Sequence, residues 1–262
     1  MDLFLTDRVA VVMAASKGLG AATARVFAQE GARVVISARH QDALRDTADS
    51  IARDTGATVL PVVADSSRAE DIAHLIQTAC ARFGTVDALV VNAGGPPSGR
   101  FTDFDDAAWQ AAIDLTLMSA VRAAREAYAV MRERKSGSIT FITSVGVKHT
   151  LDNLLLSNSL RLAVVGLAKT LSREFGPDNV RVNVICPGYT ATDRILSLAQ
   201  ANAARNGTTV EDELAKVGAN VPLGRVADPL EFGRACVFLA SPAASYITGA
   251  ALMVDGGMSR IV

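Results

Sequence analysis

Residues 8–20 read Arg-Val-Ala-Val-Val-Met-Ala-Ala-Ser-Lys-Gly-Leu-Gly. The stretch 8–14 is an apolar run without alternation, the pattern of a strand covered on both faces. Gly18 and Gly20 then open a helical pattern that Gly31 stops. Glycine lets the backbone come close to a ligand, and a helix N-terminus favours an anion. Strand, glycine turn and helix in that order predict the first unit of a βα series, with a phosphate-bearing ligand at the turn. A tight turn without a ligand is the alternative, because two glycines alone are a weak signal.

The same alternation continues to the end of the chain. Further strands are expected at 33–38, 58–63, 87–92, 138–144, 180–186 and 251–254. Between them lie helical patterns at 41–55, 106–133 and 152–175. Ser67 and Glu70 are spaced as a capping box for a helix with Ile72, Leu75, Ile76, Ala79 and Phe83 on one face. Asp228 and Pro229 open the last helix as N-cap and first residue. Continuous Val, Ile and Ala strands separated by helices predict an α/β fold. It is a single-domain, Rossmann-type doubly wound parallel sheet over 1–262, with helices on both faces.

Composition removes several classes of function. Half of the 262 residues are apolar and a fifth are charged, so a large core is available. With 26 Lys and Arg against 27 Asp and Glu, nothing draws the chain to nucleic acid or an anionic membrane. Cys80, Cys186 and Cys236 are too scattered for a disulfide framework or a metal site. No apolar run is long enough for a membrane span, and the N-terminus lacks a signal-peptide pattern. A soluble, cytoplasmic protein is expected.

Two features bear on ligands. Residues 190–221 are rich in Asn, Ala and Gly and follow Cys186-Pro187-Gly188 at a strand's carboxyl end, where open α/β sheets bind ligands. A substrate lid is one reading; a solvated helical excursion is the other. The second strand ends Ser37-Ala38-Arg39-His40, where NAD binders usually carry an acidic residue. Arg39, with Lys17 nearby, suits a 2′-phosphate, so NADP is favoured over NAD.

Taken together, several ordered motifs resemble the short-chain dehydrogenases/reductases. They are the glycine turn, Asp65, Asn92-Ala93-Gly94, Ser144, Pro187-Gly188 and Asp255-Gly256-Gly257. The resemblance implies a cofactor site of Ala14, Ser16, Lys17, Gly18, Leu19, Gly20, Asp65, Ser66, Asn92, Ala93, Gly94, Pro187, Gly188 and Thr190. It also implies a small carbonyl or alcohol substrate and a homodimer or homotetramer.

The chain departs from the family pattern at several points. The leading Thr-Gly of the turn is Met13-Ala14, and the family's Asn-Asn-Ala-Gly begins with Val91. Of the catalytic tetrad Asn, Ser, Tyr and Lys, only Ser144 is kept; Thr116, Ser157 and Arg161 stand at the other positions. This is similar to a β-ketoacyl-carrier-protein-reductase-like subgroup with an atypical active site.

Hydride transfer to a carbonyl needs an acid for the developing alkoxide, and a serine hydroxyl is a poor one. A guanidinium holds an oxyanion but does not relay protons. Ser144 and Arg161 are therefore expected to hold the oxyanion, with Lys148 or His149 as acid. Tyr189 is a further phenol beside the site. Loss of turnover, leaving a cofactor-binding sensor or scaffold, is the alternative. The helix 152–175 is apolar nearly all round, which suggests one face on the sheet and another on a second subunit.

Overall fold

The computed structural model describes residues 1–260. Seven parallel strands form one sheet in the order β3-β2-β1-β4-β5-β6-β7. They are β1 (Val9–Val12), β2 (Arg33–Ala38), β3 (Val59–Val63), β4 (Ala88–Val91), β5 (Gly137–Ile142), β6 (Val180–Pro187) and β7 (Ala251–Val254). The order reverses between β1 and β4, whose register pairs Ala10 with Ala88 and Val12 with Val90. That reversal leaves a crevice at the carboxyl ends of the strands, where this architecture binds ligands.

Helices cover both faces because successive strand residues point to opposite sides and both sides are apolar. On one face, Val11, Leu89, Ile139, Phe141 and Val184 pack with residues of α3 (Ala69–Phe83), α5 (Ser119–Glu133) and α6 (Leu155–Glu174). On the other, Ala10, Val12, Ile36 and Val90 meet α1 (Gly18–Gln29), α2 (Gln41–Thr55) and α9 (Pro229–Ala240). Burying one such Ile or Leu contributes about 1.5–3 kcal/mol, so these two layers are the main source of stability.

Three local expectations need correction. Ser67 and Glu70 do not form a capping box: α3 begins at Ala69 with Arg68 at its N-cap and no side-chain cap. The Asp65 carboxylate takes both the Ser67 N–H and hydroxyl, at 2.9 and 2.8 Å, and Glu70 takes Arg68. The helix expected over 106–133 is α4 (Asp106–Ile113) and α5, joined through a π-helical turn at Asp114–Met118. α6 begins three residues later than expected, because Asn153 adopts a left-handed φ of 57°. α6 buries Leu156, Leu160, Val164 and Ala168 and leaves Leu162 54% exposed.

Candidate functional site

The glycine turn is held from three directions. Ala15 N–H donates to Ser37 O at 2.8 Å, Asn92 Nδ2 donates to Ala14 O at 3.2 Å, and Thr47 Oγ1 donates to Ser16 O at 2.7 Å. The path between β1 and α1 is tight: a Cβ on Gly20 would lie 2.5 Å from Ala14 O. Gly18 has φ +57°, and Ala14 has φ +49° although it is not glycine. The first-turn N–H groups of α1 point into the crevice, where helix geometry favours an anion.

A cavity of about 370 Å³ opens above this turn. Lys17, Gly18 and Leu19 line one side, Asn92, Ala93 and Gly94 a second, and Ile142, Thr143 and Arg161 the floor. Thr192, Asp193 and Ser197 close it from the start of α7 (Asp193–Asn206), and α8 (Val210–Gly218) follows. The segment 190–221 therefore lies against the crevice. Lys17 Nζ is 3.7 Å from Asp193 Oδ2, an exposed pair that contributes little to stability.

The other residues expected at the cofactor lie at the ends of β2, β3 and β6, outside the lining of this cavity. Arg39 is exposed at the end of β2, with its charge reaching Asp65. Burial opposes ionisation of Asp65, yet the hydrogen bonds from Ser67 and the charges of Arg39 and Arg68 prevail and lower its pKa. Ser66 is buried beside it. At the end of β6, Gly188 N–H donates to Val254 O at 2.9 Å, and a Cβ there would be 2.7 Å from Asp255 Cα. Thr190 is buried, and the strand end is pinned by Ala191 N–H to Ala227 O at 2.9 Å.

Where the catalytic residues were expected, Arg161 Nε donates to Ser157 Oγ at 3.1 Å, and Nη1 donates to Ile142 O at 3.1 Å and Thr143 O at 2.9 Å. The i, i+4 spacing on α6 makes the Arg161–Ser157 contact possible. Ser144 Oγ accepts from Gly146 N–H at 3.1 Å. Both serines accept a hydrogen bond and so keep their own O–H available to a ligand. Thr116 lies in the π-helical turn with a buried hydroxyl that has no partner, against a cavity of about 20 Å³ shared with Arg161.

Lys148 and His149 lie apart from that floor, lining a neighbouring groove with Asn158 and Leu162. Of the two, Lys148 is the one whose charge acts on Cys186 in β6. Burial pushes the Cys186 thiol pKa up, while the hydrogen bond from Thr143 and the charges of Lys148 and Arg161 pull against that rise. Tyr189 borders a different cavity, with Val221 and Leu223.

Several residues at the crevice carried no sequence signal. The floor carbonyl of Thr143 is main chain. Thr192 and Ser197 belong to a segment with no periodicity tied to the site. Asn158 anchors the loop after Ser144 by donating to Leu151 O at 2.9 Å and accepting from Leu151 N–H. Its place directly after Ser157 was the one available hint.

Residues 13–259 match a family model described as enoyl-(acyl carrier protein) reductase. A 3-oxoacyl-(acyl-carrier-protein) reductase from Chlamydia muridarum is 33% identical over 260 residues, covering 99% of this chain and 100% of the relative. Cis-4-hydroxycyclohexanecarboxylate dehydrogenase from Sinomonas cyclohexanicum is 34% identical over 97% of this chain and 98% of its own length. Among solved structures, L-sorbose reductase from Gluconobacter frateurii, complexed with NADPH and L-sorbose, is 35% identical with a TM-score of 0.97, each chain covered in full.

Proposed function

The chain belongs to the short-chain dehydrogenase/reductase family, and from that premise we propose that it is an NADP-dependent oxidoreductase acting on a small carbonyl or alcohol. The observation that carries this reading is the crevice itself. A turn that excludes a Cβ at Gly20 leads to a cavity whose floor is Arg161, at the family's lysine position.

The residues fit the cofactor. Gly18, Leu19 and Gly20 would take the pyrophosphate at the α1 N-terminus, and Lys17 and Arg39 the 2′-phosphate. Asp65 would face the adenine end, and Asn92 to Gly94 with Pro187 to Thr190 the nicotinamide end. When bound, NADP supplies or accepts the hydride. The NADPH complex of the sorbose reductase supports the choice of NADP over NAD.

The protein's own part is to hold the substrate oxygen and supply a proton. The Arg161 N–H bond draws charge from Ser157 Oγ, so the Ser157 O–H becomes a stronger donor to a developing alkoxide. Ser144 gives the second donor. A guanidinium stays protonated, so Arg161 stabilises charge and does not relay protons. The proton then comes through Ser157 from Lys148 or solvent, with Lys148 favoured over His149 because its charge reaches the end of β6.

The test is NADPH and NADH titration, followed by NADPH consumption with β-ketoacyl thioesters, ketoses and cyclic ketones. Saturable NADPH binding tighter than NADH, together with turnover of one class, is the expected result. Preference for NADH would remove the roles of Lys17 and Arg39.

One observation favours a second reading, a cofactor-binding sensor without turnover. Arg161 Nη1 is committed to two main-chain carbonyls, as a structural arginine would be. The double substitution Ser157→Tyr with Arg161→Lys separates the two. A large gain on generic ketones from an inactive parent supports the sensor; a parent that already turns over refutes it.

A further inference from the structure

Residues 64–68 join β3 to α3 at the carboxyl end of the sheet, where the charge of Arg39 reaches Asp65. Several hydrogen bonds shape this loop from nearby. Ala64 N–H donates to Ala38 O at 3.0 Å, and Asp65 N–H donates to Asp71 Oδ2 at 2.9 Å. The Asp65 carboxylate takes the N–H and hydroxyl of Ser67. These partners belong to β2, to α3 or to the loop itself.

Arg122 ties the loop to a different part of the molecule. It lies in the first turn of α5, and its Nη1 donates to the Ser67 carbonyl at 2.7 Å. Its Nη2 donates to Asp114 Oδ1 at 3.0 Å. One guanidinium fork therefore bridges the loop after β3 and the π-helical turn Asp114–Met118.

The π-turn is what allows this bridge. Residues eight apart do not share a face of a regular α-helix. A π-turn closes over one residue more than an α-turn, which brings Asp114 and Arg122 to the relation of i and i+7, nearly one above the other. Gln110 Nε2 donates to Asp114 Oδ2 at 3.1 Å from the preceding turn. That bond first, and Arg122 after it, lower the Asp114 pKa, so the acceptor is a carboxylate at neutral pH. An exposed ion pair alone would contribute little. Here the Arg122 side chain is only 21% exposed and its planar fork is held at two acceptors.

We infer that Arg122 is a positioning residue for the adenine half of the cofactor: from α5 it holds the Ser67 carbonyl, and with it Asp65 and Ser66, in the arrangement that receives the base. The inference rests on the reading of the crevice as an NADP site. Arg122 is not part of the cavity lining and acts by ordering the loop before the cofactor arrives, so that binding need not impose that order. Its second anchor, Asp114, stands two residues before Thr116, so one side chain joins the adenine end to the turn beside Arg161.

The experiment is titration with NADPH and, separately, with adenosine 2′,5′-bisphosphate, which carries the adenine half alone. Arg122→Ala should weaken both about tenfold, as expected of a loop left in its competent arrangement about one-tenth of the time. Arg122→Lys has one ammonium for two acceptors and should fall between Arg122→Ala and the parent; it also carries the test should Arg122→Ala not fold. Asp114→Ala should weaken both ligands in the parent and add nothing in the Arg122→Ala background. In the unliganded protein the Ser67 and Arg68 amides should exchange faster in Arg122→Ala. A lowered melting temperature with both affinities as in the parent, in the variants that fold, overturns the proposal and leaves the reading of the crevice standing. A parent that binds neither ligand overturns both.

Discussion

Ala14 offers a test of the glycine turn in which the sign of the effect decides. Its φ of +49° lies in the left-handed region, where a Cβ costs about 1–2 kcal/mol. Substitution by glycine removes that strain but gives the unfolded chain more freedom, a loss of about 0.4–1 kcal/mol. The net for Ala14→Gly is a gain of about 0.5 kcal/mol, or a Tm rise of about 1–2 °C for a chain of this size. Alanine-to-glycine changes elsewhere have the opposite sign. Ala111→Gly, at an exposed position in α4, should lose about 1 kcal/mol and about 2–4 °C. The assay is paired thermal and urea unfolding of both variants, with m-values checked to show that the denatured state is unchanged. If Ala14→Gly destabilises as much as Ala111→Gly, the left-handed turn is not as described and the reasoning fails.

Gly20→Ala should abolish measurable NADPH binding, because its Cβ would meet Ala14 O at 2.5 Å and force the turn open; fluorescence titration reads this. Arg161→Ala frees the carbonyls of Ile142 and Thr143 and should lower stability by about 2–3 kcal/mol, seen as a Tm drop of about 4–12 °C. Glu213 is held at a pKa of about 2, below its ordinary 4.5, first by the Lys216 hydrogen bond and then by Thr208 and Asn206. A depressed carboxylate contributes stability that is complete above pH 4.5 and lost as pH falls toward 2. Hydrogen-exchange protection across α7 and α8 should therefore fall over that window in the parent, and Glu213→Gln should reduce that loss to the part due to Asp212, whose pKa the Thr209 N–H lowers. Arg39→Asp should reverse the preference for NADPH over NADH, measured as the ratio of the two dissociation constants.

The strands were legible because burial on both faces leaves Val, Ile and Ala in unbroken runs. β2 and β7 match the sequence expectation at both ends. What could not be read was competition among side chains. Ser67 and Glu70 have the spacing of a capping box, yet Asp65 and Arg68 lie closer and take them first. The π-helical turn at Asp114–Met118 leaves the apolar pattern of the helix almost unchanged, so periodicity passes through it. At the site, motif residues around the glycine turn were readable one by one, because each fills a backbone requirement. Asn158 was not, since its role depends on Leu151 folding back to meet it.

Arg161 and Ser157 make sense only as a pair. Three hydrogen bonds of Arg161 leave from Nε and Nη1, and they point to an oxygen on its own helix and to two carbonyls around the end of β5. A lysine ammonium at the same place is a single centre and could not span the same three acceptors from one rotamer. Arg161→Lys alone should therefore lose stability without gaining a proton relay, since Ser157 still offers no phenol. Ser157→Tyr alone should place a phenol beside a guanidinium that cannot pass protons on. Only the two changes together restore both functions, so their effects on NADPH-dependent turnover must be strongly non-additive. Additive effects would mean that Arg161 and Ser157 act separately, and the oxyanion role drawn from their hydrogen bond would then be wrong.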